Sequence, residues 1–367
     1  MKSTENIGGK RRNTRQVHVG SVAVGGGASI SVQTMTKTDT RDVATTISQI
    51  QEVQALGCDI VRLAVPDESA VKAFAEIRKK IKIPLVADIH FDHKLAVLAV
   101  EAGADAIRIN PGNIGGTDKV KEVVSAAQTR NVPIRIGVNS GSLEKDIAEK
   151  YGASAPQALV ESAIRHVRIL EDVDYNEIII SAKANDVQRT VDTYRLLSSQ
   201  TDYPLHVGVT EAGTFLNGTV RSSVAMGILL TEGIGDTIRV SLTDTPAREV
   251  RVGLELLRSL GLRKPGPGVV SCPTCGRIEV DVVTLAGRVE EELEKFYVRN
   301  PDASRPLVAV MGCMVNGPGE AKEADIALAG GKGKFALYVR GEHVSTVDES
   351  DALKALLEQV RAWKDIS

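Results

Sequence analysis

The sequence is poor in aromatic residues, which make up 3% of its 367 residues and include a single Trp. Proteins that bind single-stranded nucleic acid use aromatic side chains to stack the bases, so this scarcity argues against that class. The charges also nearly cancel, with a formal net charge of -2 and a pI near 6.4. The basic footprint of a nucleic-acid-binding protein is therefore missing, and we expect no nucleic-acid partner.

Long hydrophobic segments are absent as well. The stretch from Met1 to Arg15 is polar and basic, without the apolar segment of a signal peptide, and nothing in the sequence has the length of a membrane-spanning helix. Hydrophobic residues at 43% and charged residues at 25% are ordinary for a globular enzyme. We therefore expect a cytoplasmic protein with no membrane partner.

Cysteine is also scarce, with four residues in the chain. That number is too small for a disulfide scaffold, and a reducing compartment would keep the thiols free to bind metal. Cys58 leads into an apolar segment, Gly-Cys-Asp-Ile-Val, and is expected to be a buried, inert thiol. The other three lie in the last hundred residues.

Short Val- and Ile-rich segments alternate with amphipathic helical segments between about residues 29 and 260. The strand candidates are 29–36, 59–65, 84–90, 106–110, 133–138, 177–183, 204–209 and 237–242. Alternating βα units predict a parallel sheet, and eight of them predict a (β/α)8 TIM barrel. A doubly wound sheet is the competing fold, but no Gly-x-Gly-x-x-Gly follows the first strand. The glycine run Gly25–Gly27 precedes that strand and is expected to form a flexible turn.

Polar residues alternate with apolar ones along these strands, and alternate side chains face opposite sides of a sheet. The apolar set must pack against the helices, so the polar set faces the barrel interior. Its members are Arg62, Asp88, His90, Arg108, Asn110, Arg135, Asn139, Ser181, Lys183, His206, Thr210, Arg239 and Ser241. Unpaired buried charges are costly, so the basic members of this set need an anionic occupant, and the guanidinium fork of arginine suits phosphate.

 The predicted occupant of the barrel is thus an anion that carries phosphate groups.

A change of pattern marks a second domain. The segment 262–268, Leu-Arg-Lys-Pro-Gly-Pro-Gly, interrupts both the strand and the helix periodicity. We predict a barrel over residues 1–262, a linker over about 263–268 and a smaller α+β domain over 269–367. Within that domain, the pattern predicts a helix around 282–297, a strand at 307–311, hairpin strands near 326–340 and a closing helix at 351–363.

This second domain carries a candidate metal site. Cys272 and Cys275 stand in Cys-Pro-Thr-Cys-Gly, and Cys313 and Glu320 stand in Cys-Met-Val-Asn-Gly-Pro-Gly-Glu. Three thiolates and one weaker oxygen ligand are typical of a centre with an exchangeable position. A zinc ribbon would usually show a second Cys-x-x-Cys, so we favour a [4Fe-4S] cluster, although zinc stays open. Spacing alone does not single out Glu320, because Glu323 and Asp325 compete for the role.

The motifs of the whole chain together resemble the family of bacterial 4-hydroxy-3-methylbut-2-enyl diphosphate synthases, enzymes of the non-mevalonate isoprenoid pathway. The resemblance rests on Ser-Val-Gln-Thr-Met-Thr at 31–36, Val-Arg-Leu-Ala-Val-Pro at 61–66, Ala-Asp-Ile-His-Phe at 87–91, Ile-Arg-Ile-Asn-Pro-Gly-Asn at 107–113, Ile-Arg-Ile-Gly-Val-Asn-Ser-Gly-Ser-Leu at 134–143, His-Val-Gly-Val-Thr-Glu-Ala-Gly at 206–213 and the two cysteine motifs. It implies a TIM barrel joined to a [4Fe-4S] domain that resembles part of sulfite and nitrite reductases. Without an insertion between the domains, the chain resembles the two-domain bacterial form.

The resemblance also implies a reaction. The family converts 2-C-methyl-D-erythritol 2,4-cyclodiphosphate, with two electrons from reduced flavodoxin or ferredoxin, into 4-hydroxy-3-methylbut-2-enyl diphosphate and water. The implied cluster ligands are Cys272, Cys275, Cys313 and Glu320, with Glu320 giving way to a substrate oxygen. The implied diphosphate ligands are Arg62, Arg108, Arg135 and Lys183, with His206 and Arg239 nearby.

Further roles follow from the same resemblance. Glu211 is the candidate for proton transfer, and Asp88, Asn110, Asn139, Thr210 and Asn316 are candidates for positioning the substrate. In the family the active site forms between the barrel of one subunit and the cluster domain of the other, so a head-to-tail homodimer is implied. Two other classes stay open: a redox or iron sensor that binds a phosphorylated ligand without turnover, and a zinc-stabilised barrel enzyme such as an aldolase or a pterin-dependent synthase.

Overall fold

The computed structural model describes residues 10–90, 92–110, 113–139, 141, 143–152, 154–263, 268–300, 302–313, 319 and 323–364. The chain divides into two compact units, Met1–Arg263 and Lys264–Ser367. Residues 264–267 of the expected linker lie outside the described part of the chain. Within the described part, no helix has the length and apolar character needed to cross a membrane.

The first unit is a TIM barrel, as predicted. Its strands are β3 (Ser31–Met35), β4 (Ile60–Ala64), β5 (Leu85–Asp88), β6 (Ala106–Ile109), β7 (Ile134–Asn139), β8 (Ile178–Lys183), β9 (His206–Val207) and β10 (Thr237–Ile238). They pair in parallel in the order β8-β7-β6-β5-β4-β3-β10-β9. A parallel bridge between Ile180 and Leu205 brings β8 to β9 and closes the ring.

Helices follow the strands around the outside. They are α1 (Val43–Ala55), α2 (Glu68–Lys80), α3 (His93–Glu101), α4 (Thr117–Arg130), α5 (Lys145–Tyr151), α6 (Pro156–Glu171), α7 (Val187–Gln200), α8 (Phe215–Thr231) and α9 (Pro246–Ser259). Aspartate side chains cap several of them: Asp42, Asp67 and Asp186 each accept a hydrogen bond from a backbone N–H of the first turn. Such caps satisfy N–H groups that have no partner within the helix, which explains where these helices begin.

The strand alternation places the two sets of side chains as the sequence predicted. Ile107, Ile109, Ile134 and Ile136 are fully buried and belong to the hydrophobic cluster that the barrel strands share with the surrounding helices. The residues between them face inward, because successive side chains of a strand point to opposite faces. The polar set therefore occupies the part of the barrel interior toward the carboxyl ends of the strands.

An antiparallel hairpin, which the sequence analysis did not predict, closes the amino-terminal end of the barrel. It consists of β1 (Gln16–Val19) and β2 (Val22–Gly25). Its buried residues Val17, Val19 and Val24 form a cluster with inward-facing residues at the bottom of the strands, including Ile60 and Ile179. The hairpin therefore seals the bottom of the barrel with apolar side chains, and the polar set lies above it.

The described part of the second unit contains a mixed sheet that packs against helices. The strands β11 (Val269–Ser271), β12 (Val308–Met311), β13 (Ile326–Gly331), β14 (Lys334–Val339) and β15 (Glu342–Asp348) pair in chain order, parallel as far as β13 and antiparallel beyond it. The helices α10 (Val282–Arg299) and α11 (Ala352–Ala362) share a hydrophobic core with one face of the sheet, and a short 3-10 turn (Glu349–Asp351) precedes α11. Cys272 packs on the other cluster of this unit, with Ala309 and Met311.

Candidate active site and metal centre

A cavity of about 230 Å³ opens where the barrel strands end. Its lining residues come from the inward-facing set: Arg62, Asp88, His90, Arg108, Asn139, Ser181, Lys183, Thr210, Arg239 and Ser241. The carboxyl ends of the strands are the face on which TIM-barrel enzymes carry their active sites. The structure thus brings together most of the barrel residues that the sequence analysis selected.

Asp88 is the carboxylate of this cavity, and it is only 5% exposed. Its oxygens lie 3.7 Å from Arg62 Nε, 3.3 Å from Arg108 Nη1 and 3.6 Å from His90 Nε2. Burial opposes the ionisation of Asp88, but the nearby charge of Arg62 and the hydrogen bond from His90 outweigh it and hold the pKa of this carboxyl far below its usual range. Asp88 is therefore ionised and neutralises only part of the positive charge around it.

The ion pair of Arg62 with Asp88 is long, at 3.7 Å, and is not a hydrogen bond. The Nε and Nη2 atoms of Arg62 lie 3.2 Å and 3.0 Å from Sδ of Met35, and a thioether is a weak acceptor. Burial, opposed by Asp88 but assisted by the charge of Arg239, lowers the pKa of Arg62 to about 10. The guanidinium is thus positively charged at neutral pH and lacks strong acceptors, which suits it to an incoming anion.

Two inward-facing glycines make room for the cations. A Cβ atom at Gly137 would lie 2.1 Å from Nε of Arg108, and one at Gly208 would lie 2.9 Å from Nζ of Lys183. Arg108 fills the space above Gly137 and donates from Nη2 to its carbonyl oxygen at 3.0 Å. The sequence analysis quoted both glycines within motifs but assigned them no role.

Arg135 and His206 lie in a different place from the cavity residues. They line a small void further down the barrel, together with Gln33, Thr237 and the apolar residues of the hairpin. Arg135 Nη1 donates to Oε1 of Gln33 at 2.5 Å, and Nδ1 of His206 lies 3.4 Å from Oγ1 of Thr237. Burial, followed by the charges of Lys183 and Arg135, lowers the pKa of His206 well below its usual value, so its imidazole is neutral. These two residues therefore form a polar layer beneath the cavity.

The remaining barrel candidates have separate positions. Asn110 is buried at the end of β6, outside the cavity lining. Glu211 is exposed and directly follows Thr210, which lines the cavity, and its backbone has a φ of 52°. A non-glycine residue in this left-handed region carries backbone strain, which is concentrated at functional sites.

The sequence analysis missed Glu249, a buried residue of α9 that is 1% exposed. Its carboxylate accepts hydrogen bonds from Oγ1 of Thr34 at 2.8 Å and from the N–H of Leu242 at 3.0 Å. It also pairs with Lys37 at 3.1 Å and with Arg239 at 3.6 Å. The signal in the sequence is a carboxylate within the apolar stripe of an amphipathic helix, next to Val250.

The three cysteines of the second unit line one pocket of about 400 Å³. Cys272 and Cys275 follow β11, and Cys313 follows β12, which pairs with β11 in parallel. Because neighbouring parallel strands end at the same edge of a sheet, the two cysteine motifs meet there. Met311, Ala309 and Leu307 form an apolar wall beside them.

The surroundings of the sulfur atoms favour thiolates. The N–H of Thr274 points to Sγ of Cys272 at 3.3 Å, in a turn where Thr274 has a φ of 66°. The backbone and then the side chain of Arg277 donate to Cys275 and lower its pKa. Thiolates are the form in which cysteine binds metal.

The candidate for a fourth ligand cannot be placed beside the three cysteines. Glu320 and Asn316, both predicted site residues, lie outside the described residues. Among those that are described, no group of three or more His, Cys, Asp and Glu side chains is arranged as a finished metal site. Cys58, by contrast, is buried in the barrel wall, and burial raises the pKa of its thiol to about 12, as expected for an inert residue.

Family comparisons agree with both units. Residues 14–254 match the model of the GcpE TIM-barrel domain, and residues 268–362 match the model of the GcpE protein C-terminal domain. The chain belongs to the GcpE family. A member from Thermodesulfovibrio yellowstonii, named 4-hydroxy-3-methylbut-2-en-1-yl diphosphate synthase (flavodoxin), is 54% identical over 352 residues, which cover 96% of this chain and 99% of that protein. A protein of the same name from Clostridium acetobutylicum is 54% identical, with 96% and 99% covered. The family inferred from the motifs is thus confirmed.

Solved structures give a weaker likeness. A Yersinia pestis dihydropteroate synthase in complex with a sulfonamide drug is 11% identical and has a TM-score of 0.49, covering 68% of this chain and 100% of that one. This likeness is too distant to indicate a function.

Proposed function

We propose that this chain is a 4-hydroxy-3-methylbut-2-en-1-yl diphosphate synthase that acts in the isoprenoid pathway. The reaction opens the ring of 2-C-methyl-D-erythritol 2,4-cyclodiphosphate and removes one hydroxyl as water, with two electrons from reduced flavodoxin. The full-length identity to proteins of that name supports this activity. The structural observation that carries it is the cavity of the barrel, in which three arginines and one lysine surround the carboxylate of Asp88.

The cations of the cavity would bind the diphosphate. Arg62, Arg108, Lys183 and Arg239 line it, and Asp88 is already engaged with Arg62 and Arg108. A diphosphate would supply the negative charge that this set lacks, and guanidinium groups bind phosphate oxygens in pairs. Arg135 would contribute its charge from the layer below rather than a contact in the cavity.

The cysteine pocket suits an iron-sulfur cluster. Three thiol groups, an N–H aimed at one sulfur and an apolar wall are the features that such a cluster requires of its protein. Cys272, Cys275 and Cys313 would hold a [4Fe-4S] cluster, and Glu320 would be its oxygen ligand. When bound, the cluster supplies electrons singly to the substrate.

The departing hydroxyl needs a proton, and the barrel offers a donor at the mouth of the cavity. Glu211 follows Thr210 on the loop after β9. Its side chain is exposed, whereas that of Asp88 is buried. The positive φ of Glu211 costs free energy of folding, and such strain clusters at functional sites, which supports a functional role for this residue. We assign proton transfer to Glu211, and substrate positioning to Asn139, Thr210 and Ser241.

The two domains would have separate tasks, with substrate bound by the barrel and electrons carried by the cysteine domain. The barrel unit ends where Arg263 Nη2 binds Oδ1 of Asp59 at 2.6 Å, and Asp59 precedes the amino end of β4. This end lies opposite the cavity, and any segment of four residues spans at most about 14 Å. We therefore propose a head-to-tail homodimer, located in the cytoplasm, in which the cysteine domain of one subunit serves the barrel of the other.

The activity is tested with anaerobically reconstituted protein, the cyclic diphosphate and reduced flavodoxin. We expect turnover and a visible sulfur-to-iron absorbance band, both lost in Cys313→Ser and both kept in the matched control Cys58→Ala. A colourless but active protein would sink the iron-sulfur assignment and favour a zinc enzyme. Ligand binding without product would favour the sensor.

The homodimer is tested by subunit mixing. Arg108→Ala disables the barrel and Cys313→Ser disables the cysteine domain, so each variant alone should be inactive. If the active site is shared, each re-associated mixed dimer combines one intact barrel with one intact cysteine domain. Its activity should then reach up to about half that of the wild-type dimer, because one of its two sites is intact. Mixtures that stay inactive, although mass spectrometry shows mixed dimers, would rule out the shared site.

A further inference from the structure

Lys183 is the most isolated of the cavity cations. It is 8% exposed at the end of β8, and within the described part of the chain no carboxylate lies at ion-pair distance from its Nζ atom. Gly208, which follows the neighbouring strand β9, leaves space beside Nζ and beside the carbonyl oxygen of Arg239. Two buried carboxylates of the barrel are already engaged, Asp88 by Arg62 and Arg108, and Glu249 by Lys37 and Arg239.

The groups around Lys183 are mostly cationic. Strands β4 to β7 and β9 to β10, with the loops that follow them, turn titratable side chains toward it: Arg62, Asp88, His90, Arg108, Arg135, His206 and Arg239. Burial, and after it the charges of Arg239 and Arg135, lower the pKa of Lys183 well below its usual value. An anion in the cavity would offset this positive charge.

Lysine is the group that yields its proton in such a cluster. A guanidinium stays protonated in proteins because its charge is delocalised, whereas a buried ammonium is readily neutralised. His206 is already neutral, so its proton is not available to relieve the repulsion. Lys183 is therefore the group that loses a proton and so reduces the excess positive charge of the ligand-free cavity.

We propose that Lys183 is a neutral amine in the empty barrel and that it takes up a proton when a diphosphate binds, so that the ligand enters together with a proton. This inference rests on the proposed function in taking a diphosphate as the ligand. Without a ligand, the neutral amine reduces the electrostatic repulsion among the cations of the cavity. With a diphosphate bound, the protonated amine adds a positive charge that attracts the anion. Affinity for a diphosphate should then fall by up to about tenfold per pH unit as the pH rises above neutrality, because one proton is bound with each ligand.

The proton is counted by calorimetry. Inorganic pyrophosphate is titrated into the full-length protein at pH 7.5 in buffers with different heats of ionisation, and the slope of the observed heat gives the protons taken up. Lys183→Arg is the matched control, since arginine keeps its charge in both states. We expect the wild-type protein to take up more protons than Lys183→Arg, by a difference approaching one, while the ligand's own protonation cancels between them. Equal uptake by both proteins would overturn the proposal.

A second measurement needs no ligand and decides the case if Lys183→Arg binds pyrophosphate too weakly for calorimetry. The protein is labelled with ¹³C-lysine, and the Cε resonance of Lys183 is assigned by its absence in Lys183→Arg. We expect the chemical shift of a neutral amine at pH 7.5 in the ligand-free protein. The shift of an ordinary ammonium at that pH would overturn the proposal.

These outcomes separate the inference from the proposed function. Turnover of the cyclic diphosphate with a charged Lys183 in the empty protein would overturn the inference alone. A neutral Lys183 with proton-linked pyrophosphate binding, but without turnover, would overturn the proposed function alone.

Discussion

Arg239 and Glu249 meet across the wall of the barrel, with Nη2 of Arg239 at 3.6 Å from Oε2 of Glu249. Arg239 lines the cavity, whereas Glu249 belongs to α9, outside the strands. The same carboxylate binds Thr34 and the N–H of Leu242, so it joins β3, α9 and the loop after β10. Glu249 therefore links a cation of the cavity to the helical layer.

Glu249→Gln tests how much this link contributes to the stability of the barrel. We expect a loss of about 1–3 kcal/mol in the stability of the barrel, because Lys37 and Arg239 lose a buried partner. The matched control is Glu232→Gln, whose exposed pair with Arg195 should matter by less than about 1 kcal/mol. Calorimetric unfolding of the three proteins makes the comparison. Equal transition temperatures for the two variants would contradict it.

Gly137→Ala should move Arg108 without removing any charge. The new methyl group would lie 2.1 Å from the present position of Nε, so the guanidinium must shift away from the carbonyl oxygen of Gly137 and from Asp88. We expect pyrophosphate affinity to fall by about tenfold, the equivalent of one charged hydrogen bond. Gly227→Ala on α8 is the control, since its Cβ meets nothing within 4 Å and should leave affinity unchanged. Unaltered affinity in Gly137→Ala would show that Arg108 does not bind the ligand.

Glu211 offers a separation of activity from stability. Glu211→Gln removes the proton but keeps the shape, so we expect kcat to fall by about 10²-fold or more, with little change in KM. Glu211→Gly removes the carboxylate and also relieves the positive φ, so it should be inactive yet at least as stable as the wild type. Steady-state kinetics and calorimetry measure the two effects. A Glu211→Gln enzyme with wild-type kcat would exclude this residue as the proton donor.

The neutral state of His206 predicts a dependence of stability on pH. Its pKa is lowered in the folded barrel, so its stabilising effect is fully present above the unfolded value of about 6.5 and is lost as the pH falls below it. We expect the barrel to lose up to about 1.4 kcal/mol per pH unit below pH 6.5 through this group. His206→Gln cannot take up that proton, so its unfolding temperature should fall less between pH 7 and 5.5. Identical pH profiles would mean that His206 is protonated in the folded state.

Much of the cavity follows from local pattern. Arg62, Arg108, Lys183 and Arg239 were placed inside the barrel from strand alternation, and the structure brings them into one cavity. The cysteine motifs are equally local, because each follows the end of its own strand. A period of two residues is a property of any strand, so it can be read without knowing which strands are neighbours.

Depth within the barrel could not be read in the same way. Arg108 and Arg135 stand in register on adjacent strands, yet Arg108 lines the cavity and Arg135 lines the void beneath it. Strands of a closed barrel are tilted and staggered, so alternation tells the direction of a side chain but not its height. The same stagger places His206 beside Arg135 rather than at the cavity.

The sequence alone determined the fold class, the inward-facing basic residues and the grouping of the cysteines as candidate ligands, since these depend on short-range periodicity and spacing. Only the tertiary structure decided that the hairpin β1–β2 seals the barrel, that Gly137 makes room for Arg108 and that Glu249 holds Arg239. Each of these contacts joins residues from separate elements of the chain. Such contacts depend on how the elements pack, and no local pattern encodes them.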